Sequence, residues 1–96
     1  MSTEDCAPDD RIRIEEIICT FPSIHELIAA EQGLLAAGIP VGVMPLPDQL
    51  GRYCGMCLRL KPADYEQAAA VLGEGIHDRY ALSRAAGKKV YIPWHP

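Results

Sequence analysis

The stretch PLPDQLGRYCGMCLRL, Pro45–Leu60, decides how this chain folds. It holds two prolines, two glycines and two cysteines. One apolar run, Ile39–Met44, comes directly before the stretch, and a second, Met56–Leu60, forms its last five residues. This pattern predicts a hairpin in which Cys54 leaves the loop and leads into the returning strand. Loops held by a rigid scaffold carry chemistry more often than strands do, so we expect function here.

The composition is that of one small acidic globular domain. The chain has 96 residues, of which 49% are hydrophobic, and its formal net charge is −4. An acidic protein without a basic patch is not attracted to nucleic acid or to an anionic membrane. The start of the chain lacks the pattern of a signal peptide, and no apolar run reaches the ~20 residues that span a bilayer. We therefore expect a cytoplasmic protein that binds neither nucleic acid nor membrane.

Four cysteines occur in the chain. Cytoplasmic thiols stay reduced, so we interpret them as metal ligands or reactive groups before we interpret them as a disulfide framework. Cys6 lies in an acidic, turn-prone segment, residues 1–11, which we expect to be a mobile tail ahead of a single domain over residues 12–96. Cys19 lies in an apolar run and is expected to be a small core residue.

Strand and helix patterns alternate along the chain. Ile14–Phe21 predicts a central strand, and Ile39–Met44 a short second one. Met56–Lys61 alternates between apolar and polar residues and predicts a third strand that is buried on one face only. Pro62–Leu72 predicts a helix with a proline in its first turn. Together with a helix after the first strand, this order predicts a ferredoxin-like βαββαβ α/β sandwich with an antiparallel sheet.

Two further elements are predicted at the end of the chain. Asp78–Gly87 is predicted as a short helix in preference to a strand. Lys88–Pro93 is predicted as a final edge strand or tail, with Trp94 covering the sheet.

The first helix should begin at Ser23 and end at Gly38. Ser23 and Glu26 form a capping box, and the glycine is a typical helix terminator. Glu31 lies near the middle of the predicted apolar stripe, where it is either a carboxylate paired with an arginine at the core rim or an acid with a raised pKa near a reactive site. The stripe consists of Ile24, Leu27, Ile28, Leu34 and Leu35.

The ferredoxin-like topology makes the first and third strands antiparallel neighbours. The start of the third strand then lies beside the end of the first, so Cys54 should lie near Ser23, His25 and the N-terminus of the first helix. The positive end of the helix dipole stabilises a thiolate, and Arg52 and Arg59 would add to that effect. Cys54 is therefore expected to be the most reactive thiol, whereas His25 is expected to face solvent.

Cys54 and Cys57 are separated by three residue steps. In an extended strand three steps place the Cα atoms about 10 Å apart, whereas a disulfide needs them within about 7 Å. A strand that begins at Cys54 therefore forbids a bond between the thiols, and this is the arrangement that we expect. A strand that begins later would let Gly55 adopt a turn conformation and bring the sulfur atoms together.

Several spaced motifs within Phe21–Leu72 carry a resemblance to a known family. They are Phe21-Pro22-Ser23, Glu31, Gly38-Ile39-Pro40, Pro45-Leu46-Pro47 and Cys54-Gly55. On these motifs the chain resembles the selenium/sulfur carrier-like family. The resemblance implies that Cys54 carries sulfur or selenium as a persulfide or perselenide. The implied partners are a cysteine desulfurase-like donor and an acceptor protein, and the implied role is that of a carrier or accessory protein without a cofactor.

Three classes of function compete at this point. The first is a sulfur or selenium relay through Cys54, with Gly55 giving the loop the freedom to meet a partner's thiol. The second is binding of a soft metal ion, Cu(I) or Zn(II), by Cys54 and Cys57. One Cys-x-x-Cys motif supplies only half of the ligands of a zinc site, so a homo-oligomer would have to supply a second pair. The third is a ligand-sensing or assembly module without covalent chemistry.

Overall fold

The computed structural model describes residues 14–51 and 55–94 of the chain. The elements in chain order are β1 (Ile14–Thr20), α1 (Ile24–Ala36), β2 (Gly42–Pro45), a 3-10 turn (Asp48–Leu50), β3 (Met56–Leu60), a second 3-10 turn (Pro62–Asp64), α2 (Tyr65–Leu72), β4 (Asp78–Ala85) and β5 (Lys88–Pro93). Among these residues the strands form one five-stranded sheet in the order β2-β3-β1-β4-β5. Both helices pack on the same face of the sheet, which we name the helical face, and the opposite face is named the open face. The proposed tail, residues 1–11, lies outside the described residues.

The sheet is antiparallel throughout, with β1 at its centre. Ile17 lies opposite Leu60 of β3, and Cys19 lies opposite Leu58. On its other side β1 pairs with β4. The predicted ferredoxin-like sandwich is confirmed, together with the prediction that β1 and β3 are antiparallel neighbours. β5 adds a fifth strand beside β4 as an edge.

Both ends of α1 lie where the sequence predicts them, although only one of the two hydrogen bonds of the capping box is formed between these described residues. The Ser23 hydroxyl accepts a hydrogen bond from the Glu26 amide at 3.2 Å and thereby satisfies a donor that the helix start leaves unpaired. At the other end Gly38 has a φ of 79°, and the Ile39 amide donates to the Leu34 carbonyl at 2.9 Å. Because the Ile39 amide is used in this helix closure and Pro40 has no amide hydrogen, neither residue can donate a hydrogen bond to the sheet. β2 therefore begins only at Gly42, later than predicted.

The buried side of α1 is rotated from the predicted stripe toward α2. Leu27, Ala30 and Leu34 are buried, whereas Ile24, Ile28 and Leu35 are exposed. A Cβ atom at Gly33 would lie 3.7 Å from the Val71 Cγ1 atom, an ordinary van der Waals distance, so this side of α1 faces α2.

The predicted helix over Asp78–Gly87 is wrong, because Asp78–Ala85 forms strand β4. β4 hydrogen-bonds to β1 on one side and to β5 on the other, so sheet pairing overrides the helix propensity of its alanines and arginines. The turn between β4 and β5 has positive φ at Ala86 and Gly87, 54° and 80°. Two such residues form the tight turn that matches the twist of a hairpin.

The main core lies between the helices and the sheet. Trp94, which follows β5, packs edge-on against Tyr65 at the start of α2, with ring centroids 4.5 Å apart. This contact places α2 on the β4 side of the sheet, while α1 packs against β3. No helix within residues 14–51 and 55–94 is long and apolar enough to cross a membrane. The buried members of the core are Ile17, Cys19, Phe21, Leu27, Ala30, Leu34, Ile39, Leu58, Leu60, Tyr65, Ala68, Ile76 and Ala81.

Candidate functional site

The loop between β2 and β3 is closed at its base by backbone hydrogen bonds. Pro45 lies opposite Met56 in the sheet, and the Leu46 amide donates to the Gly55 carbonyl at 2.9 Å. Within the loop the Leu50 amide donates to the Pro47 carbonyl at 2.9 Å and closes the 3-10 turn. The predicted hairpin is therefore present, and its base is well defined.

Two of the predicted site residues, Arg52 and Cys54, lie outside the described residues. Gly55, which follows Cys54 in the sequence, has a φ of 82°, and β3 begins at Met56. The expectation of a strand that begins at Cys54 is therefore wrong. Gly55 adopts the turn conformation of the alternative arrangement, in which an extended strand no longer forces Cys54 and Cys57 apart.

Cys57 lies in a second apolar cluster on the open face of the sheet. Its neighbours there include Leu46 and Leu50 of the loop, which fold over the sheet and are themselves buried. The Cys57 thiol is fully buried and lies 3.9 Å from the Pro45 carbonyl oxygen, as a weak S–H donor. The prediction that β3 is buried on one face only is therefore wrong at Cys57, which the loop covers, and is confirmed at Arg59, which is exposed on the same face. The buried members of this open-face cluster are Ile18, Leu46, Leu50, Cys57 and Leu82.

Cys19 is a core residue, as predicted. It points to the helical face between the sheet and the helices and has no exposed surface. Burial raises the pKa of Cys19 from its ordinary value of 9.0 to about 12, against a lowering effect of the nearby Arg79 charge. The Cys19 thiol is thus neutral at physiological pH and is a poor nucleophile.

The residues predicted to support Cys54 have different surroundings. Ser23 is partly buried and its hydroxyl caps α1, while His25 is exposed in the first turn, as predicted. Glu31 is partly buried, and no ion pair or hydrogen bond joins its carboxylate to another described residue. Arg59 forms an ion pair with Glu16 at 3.6 Å on the open face, where both side chains are partly exposed.

The end of the sheet at which β3 begins also holds polar residues that the sequence reasoning missed. The buried Thr20 hydroxyl accepts from the Asp78 amide at 3.1 Å and lies 3.4 Å from the Asp78 carbonyl. The His77 amide donates to the Thr20 carbonyl at 2.8 Å. The Arg79 Nε–H is buried and has no acceptor among the described residues. In the sequence Tyr80 and Leu82 alternate with smaller residues, and this alternation was the signal for strand β4. Because the segment is predicted as a helix from its sequence, these polar residues were not predicted to lie together.

Metal ligands do not gather in the described part of the chain. Within residues 14–51 and 55–94, no group of three or more histidine, cysteine, aspartate or glutamate side chains is placed to hold a metal ion.

Comparison with known proteins gives one family. The profile of the family described as "Putative Se/S carrier protein-like" matches residues 16–79, which run from β1 through the loop and α2 into β4. Neither the curated proteins nor the solved structures contain a match to the chain. The matched segment covers two thirds of the 96 residues and includes three of the four cysteines. The chain therefore belongs to the Se/S carrier protein-like family.

Proposed function

We propose that this chain is a cytoplasmic carrier that holds sulfur or selenium on Cys54 as a persulfide or perselenide. In the loading step the Cys54 thiolate attacks the outer sulfur of a donor persulfide, and the donor thiolate leaves. In the unloading step an acceptor thiolate attacks the outer sulfur of the Cys54 persulfide, and the Cys54 thiolate is regenerated. The donor is a cysteine desulfurase-like protein, and the chain acts as a carrier more than as a stand-alone enzyme.

The burial of the other thiols carries this proposal. Three cysteines lie within the segment that matches the family, namely Cys19, Cys54 and Cys57. Cys19 and Cys57 have no exposed surface, and a raised pKa keeps Cys19 protonated. Sulfur transfer between proteins needs a thiolate that a partner can reach. Burial therefore argues against two of the three thiols as the transfer group, and Cys54 is the thiol to which we assign it.

The loop around Cys54 supports the same role. Leu46 and Leu50 are buried against the sheet, and the Leu46–Gly55 hydrogen bond closes the loop base. Gly55 adopts a φ of 82°, which an L-residue adopts only with strain. A rigid base with a short segment between Gly51 and Gly55 is a suitable support for a group that two partner proteins must approach in turn.

The experiment is a loading assay with intact-mass detection. The full chain is incubated with a purified cysteine desulfurase and L-cysteine, with and without prior chelation, and the added sulfur is located by peptide mapping. We expect one sulfur on Cys54, no effect of chelation, and no loading of Cys54→Ser. Loading of Cys54→Ser at the wild-type level, or a chelator-sensitive metal bound at one per cysteine pair, would refute the carrier function.

A dithiol function is the second candidate, and the conformation of Gly55 favours it. β3 begins only at Met56, and Gly55 before it has a φ of 82°, which is the turn conformation on which a paired arrangement of the two thiols depends. In that case the Cys57 thiolate attacks the inner sulfur of the Cys54 persulfide, a disulfide forms, and HS⁻ leaves. Cys57→Ser separates the two candidates. A simple carrier keeps both loading and unloading, whereas a dithiol device loads normally but loses sulfide release. Equal loss of loading in Cys57→Ser and Cys54→Ser would favour a shared dithiol or metal site.

A further inference from the structure

The outer edge of β5 presents backbone hydrogen-bonding groups that no described strand pairs. β5 is the last strand of the sheet and hydrogen-bonds to β4 on its inner side. The Trp94 amide donates to the Arg79 carbonyl at 3.0 Å, so the backbone of Trp94 points toward β4. Because this direction alternates along an antiparallel strand, the N–H and C=O groups of Lys89 and Tyr91 point outward, as does the Pro93 carbonyl. Outward groups of this kind pair readily with a further strand.

The side chains of β5 leave apolar surface open on the helical face. Ile92 lies opposite Ala81, a member of the main core, so it points to that face. Side chains alternate along a strand, so Lys88 and Val90 point to the same face as Ile92. Val90 and Ile92 are each 38% exposed. The edge strand therefore carries two exposed apolar side chains, with a lysine before them.

A surface cavity of about 390 Å³ lies beside the end of this strand. Trp94, which follows β5, forms one wall, and Glu66 of α2 forms another. Tyr65 and residues 62–63 complete the lining. The Glu66 side chain is exposed and forms no ion pair within residues 14–51 and 55–94. An indole ring and a carboxylate in one cavity favour a cation as the occupant. We name this the Trp94–Glu66 cavity.

A second copy of the chain supplies both a strand and a cation that fit. In a two-fold symmetric antiparallel pair of β5 strands centred on Tyr91, the helical faces of both copies lie on the same side. Val90 then lies opposite Ile92 of the second copy, and Lys88 lies opposite Trp94 of the second copy. The outward amide and carbonyl of Tyr91 pair with those of Tyr91 in the second copy. Apolar side chains thus meet each other, and the lysine meets the Trp94–Glu66 cavity.

Other symmetric registers fit less well. A pair centred on Lys89 would place two lysines directly opposite each other, which is destabilising. A pair centred on Val90 would place Lys88 opposite Ile92 of the second copy, away from the Trp94–Glu66 cavity. The register centred on Tyr91 keeps lysines apart, because Lys89 then lies opposite Pro93 of the second copy.

We infer that β5 pairs with β5 of a second copy about a two-fold axis at Tyr91, and that Lys88 of each copy enters the Trp94–Glu66 cavity of the other. The two five-stranded sheets become one continuous sheet. Because the copies run in opposite directions, their β2–β3 loops lie at opposite ends of this sheet. Each cavity is complete only with a residue from the second copy. The inference does not depend on the carrier function.

The first experiment is a charge exchange measured by sedimentation velocity. The full chain is studied with a reductant present, so that no intermolecular disulfide contributes, from about 1 μM to about 500 μM. The test variants are Lys88→Glu, Glu66→Lys and the double variant that carries both changes. The matched controls are Lys89→Glu, the neighbouring lysine on the open face, and Glu74→Lys, an exposed carboxylate outside the cavity.

We expect the wild type to form a dimer whose dissociation constant rises about ten-fold or more in each single test variant. The double variant should restore dimerisation, because the exchanged charges attract again, and both controls should resemble the wild type. A wild type that stays monomeric at the highest concentration would overturn the inference. Wild-type dimerisation in both single test variants, or no recovery in the double variant, would overturn it as well.

The second experiment locates the interface by amide hydrogen exchange in NMR. The Tyr91 amide points outward, whereas the Val90 amide points toward β4 and serves as the internal reference. The Val90 amide should be protected at every protein concentration, and protection of the Tyr91 amide should rise as the dimer forms. A dimer in which Tyr91 exchange does not depend on concentration would have its interface elsewhere, and that result would overturn the pairing of β5.

Discussion

The Leu46 amide donates to the Gly55 carbonyl at an N···O distance of 2.9 Å and thereby joins the two ends of the β2–β3 loop. Gly55 is covalently bonded to Cys54, so this hydrogen bond fixes one end of the segment to which we assign the function. On the other side of the loop Leu50 is buried against the open face of the sheet. The segment between Leu50 and Gly55 is therefore held on both sides by contacts that can be altered one at a time.

Gly55→Ala should strain the backbone of the loop without a clash against the described residues. The φ of Gly55 is 82°, and a Cβ atom there would meet no atom of residues 14–51 or 57–94 within 4 Å. The cost is the left-handed backbone conformation alone, about 1 kcal/mol of unfolding free energy in urea denaturation. Gly38→Ala is the matched control, because Gly38 has a φ of 79° and equally open surroundings at the end of α1. Both variants should lose similar stability, but only Gly55→Ala should change the rate at which Cys54 is alkylated.

Leu50→Ala should loosen the loop from the sheet and expose Cys57. Leu50 is 6% exposed within the open-face cluster, so truncating it removes apolar burial and leaves a gap, at a cost of about 2 kcal/mol. Alkylation of Cys57 in the folded protein should rise as the cover is lost. Leu35→Ala makes the same truncation at a side chain that is 53% exposed, and it should cost less than about 0.5 kcal/mol. If Cys57 stayed as protected in Leu50→Ala as in the wild type, the loop would not be its cover.

Local signals in the sequence were sufficient to predict the sandwich. The Ser23 cap and the Gly38 terminator define α1 through contacts within a few residues of each other. The unbroken apolar run around Ile17 is characteristic of a strand with neighbours on both sides, and β1 has them. Such signals act locally, which is why a single sequence reveals them.

The errors concern contacts between distant residues. β4 is a strand because β1 and β5 pair with it, and nothing within Asp78–Ala85 itself announces those partners. Cys57 is buried because Leu50 folds over the sheet from the loop, which alternation along β3 could not reveal. Ile28 is exposed because the buried side of α1 carries Leu27, Ala30 and Leu34 instead. At Cys57 a buried side chain was expected to be exposed, and at Ile28 an exposed side chain was expected to be buried.

Alkylation mapping should separate the thiols by burial. Cys19 and Cys57 have no exposed surface, so both should react with iodoacetamide at neutral pH only when the fold opens. Cys54 is expected to react first among the three cysteines of the family segment. Addition of urea to unfold the chain should make the three rates similar. Fast labelling of Cys57 in the native protein, or protection of Cys54 equal to that of Cys19, would contradict the assignment of the carrier to Cys54.

The buried Cys19 thiol should make the protein less stable at alkaline pH. Burial raises the pKa of Cys19 from 9.0 to about 12, so above pH 9.0 the unfolded chain releases a proton that the folded chain retains. The stabilisation from Cys19 is therefore complete below pH 9.0 and is lost as the pH rises toward 12, at about 1.4 kcal/mol per pH unit. Cys19→Ala removes this titration, and at pH 8 its smaller side chain should cost about 1 kcal/mol. The stability difference between the two proteins should then shrink above pH 9 and reverse sign, as measured by urea denaturation at each pH. Other titrating groups are common to both proteins and cancel in the difference, so a difference that stays constant up to pH 11 would show that Cys19 is reached by solvent.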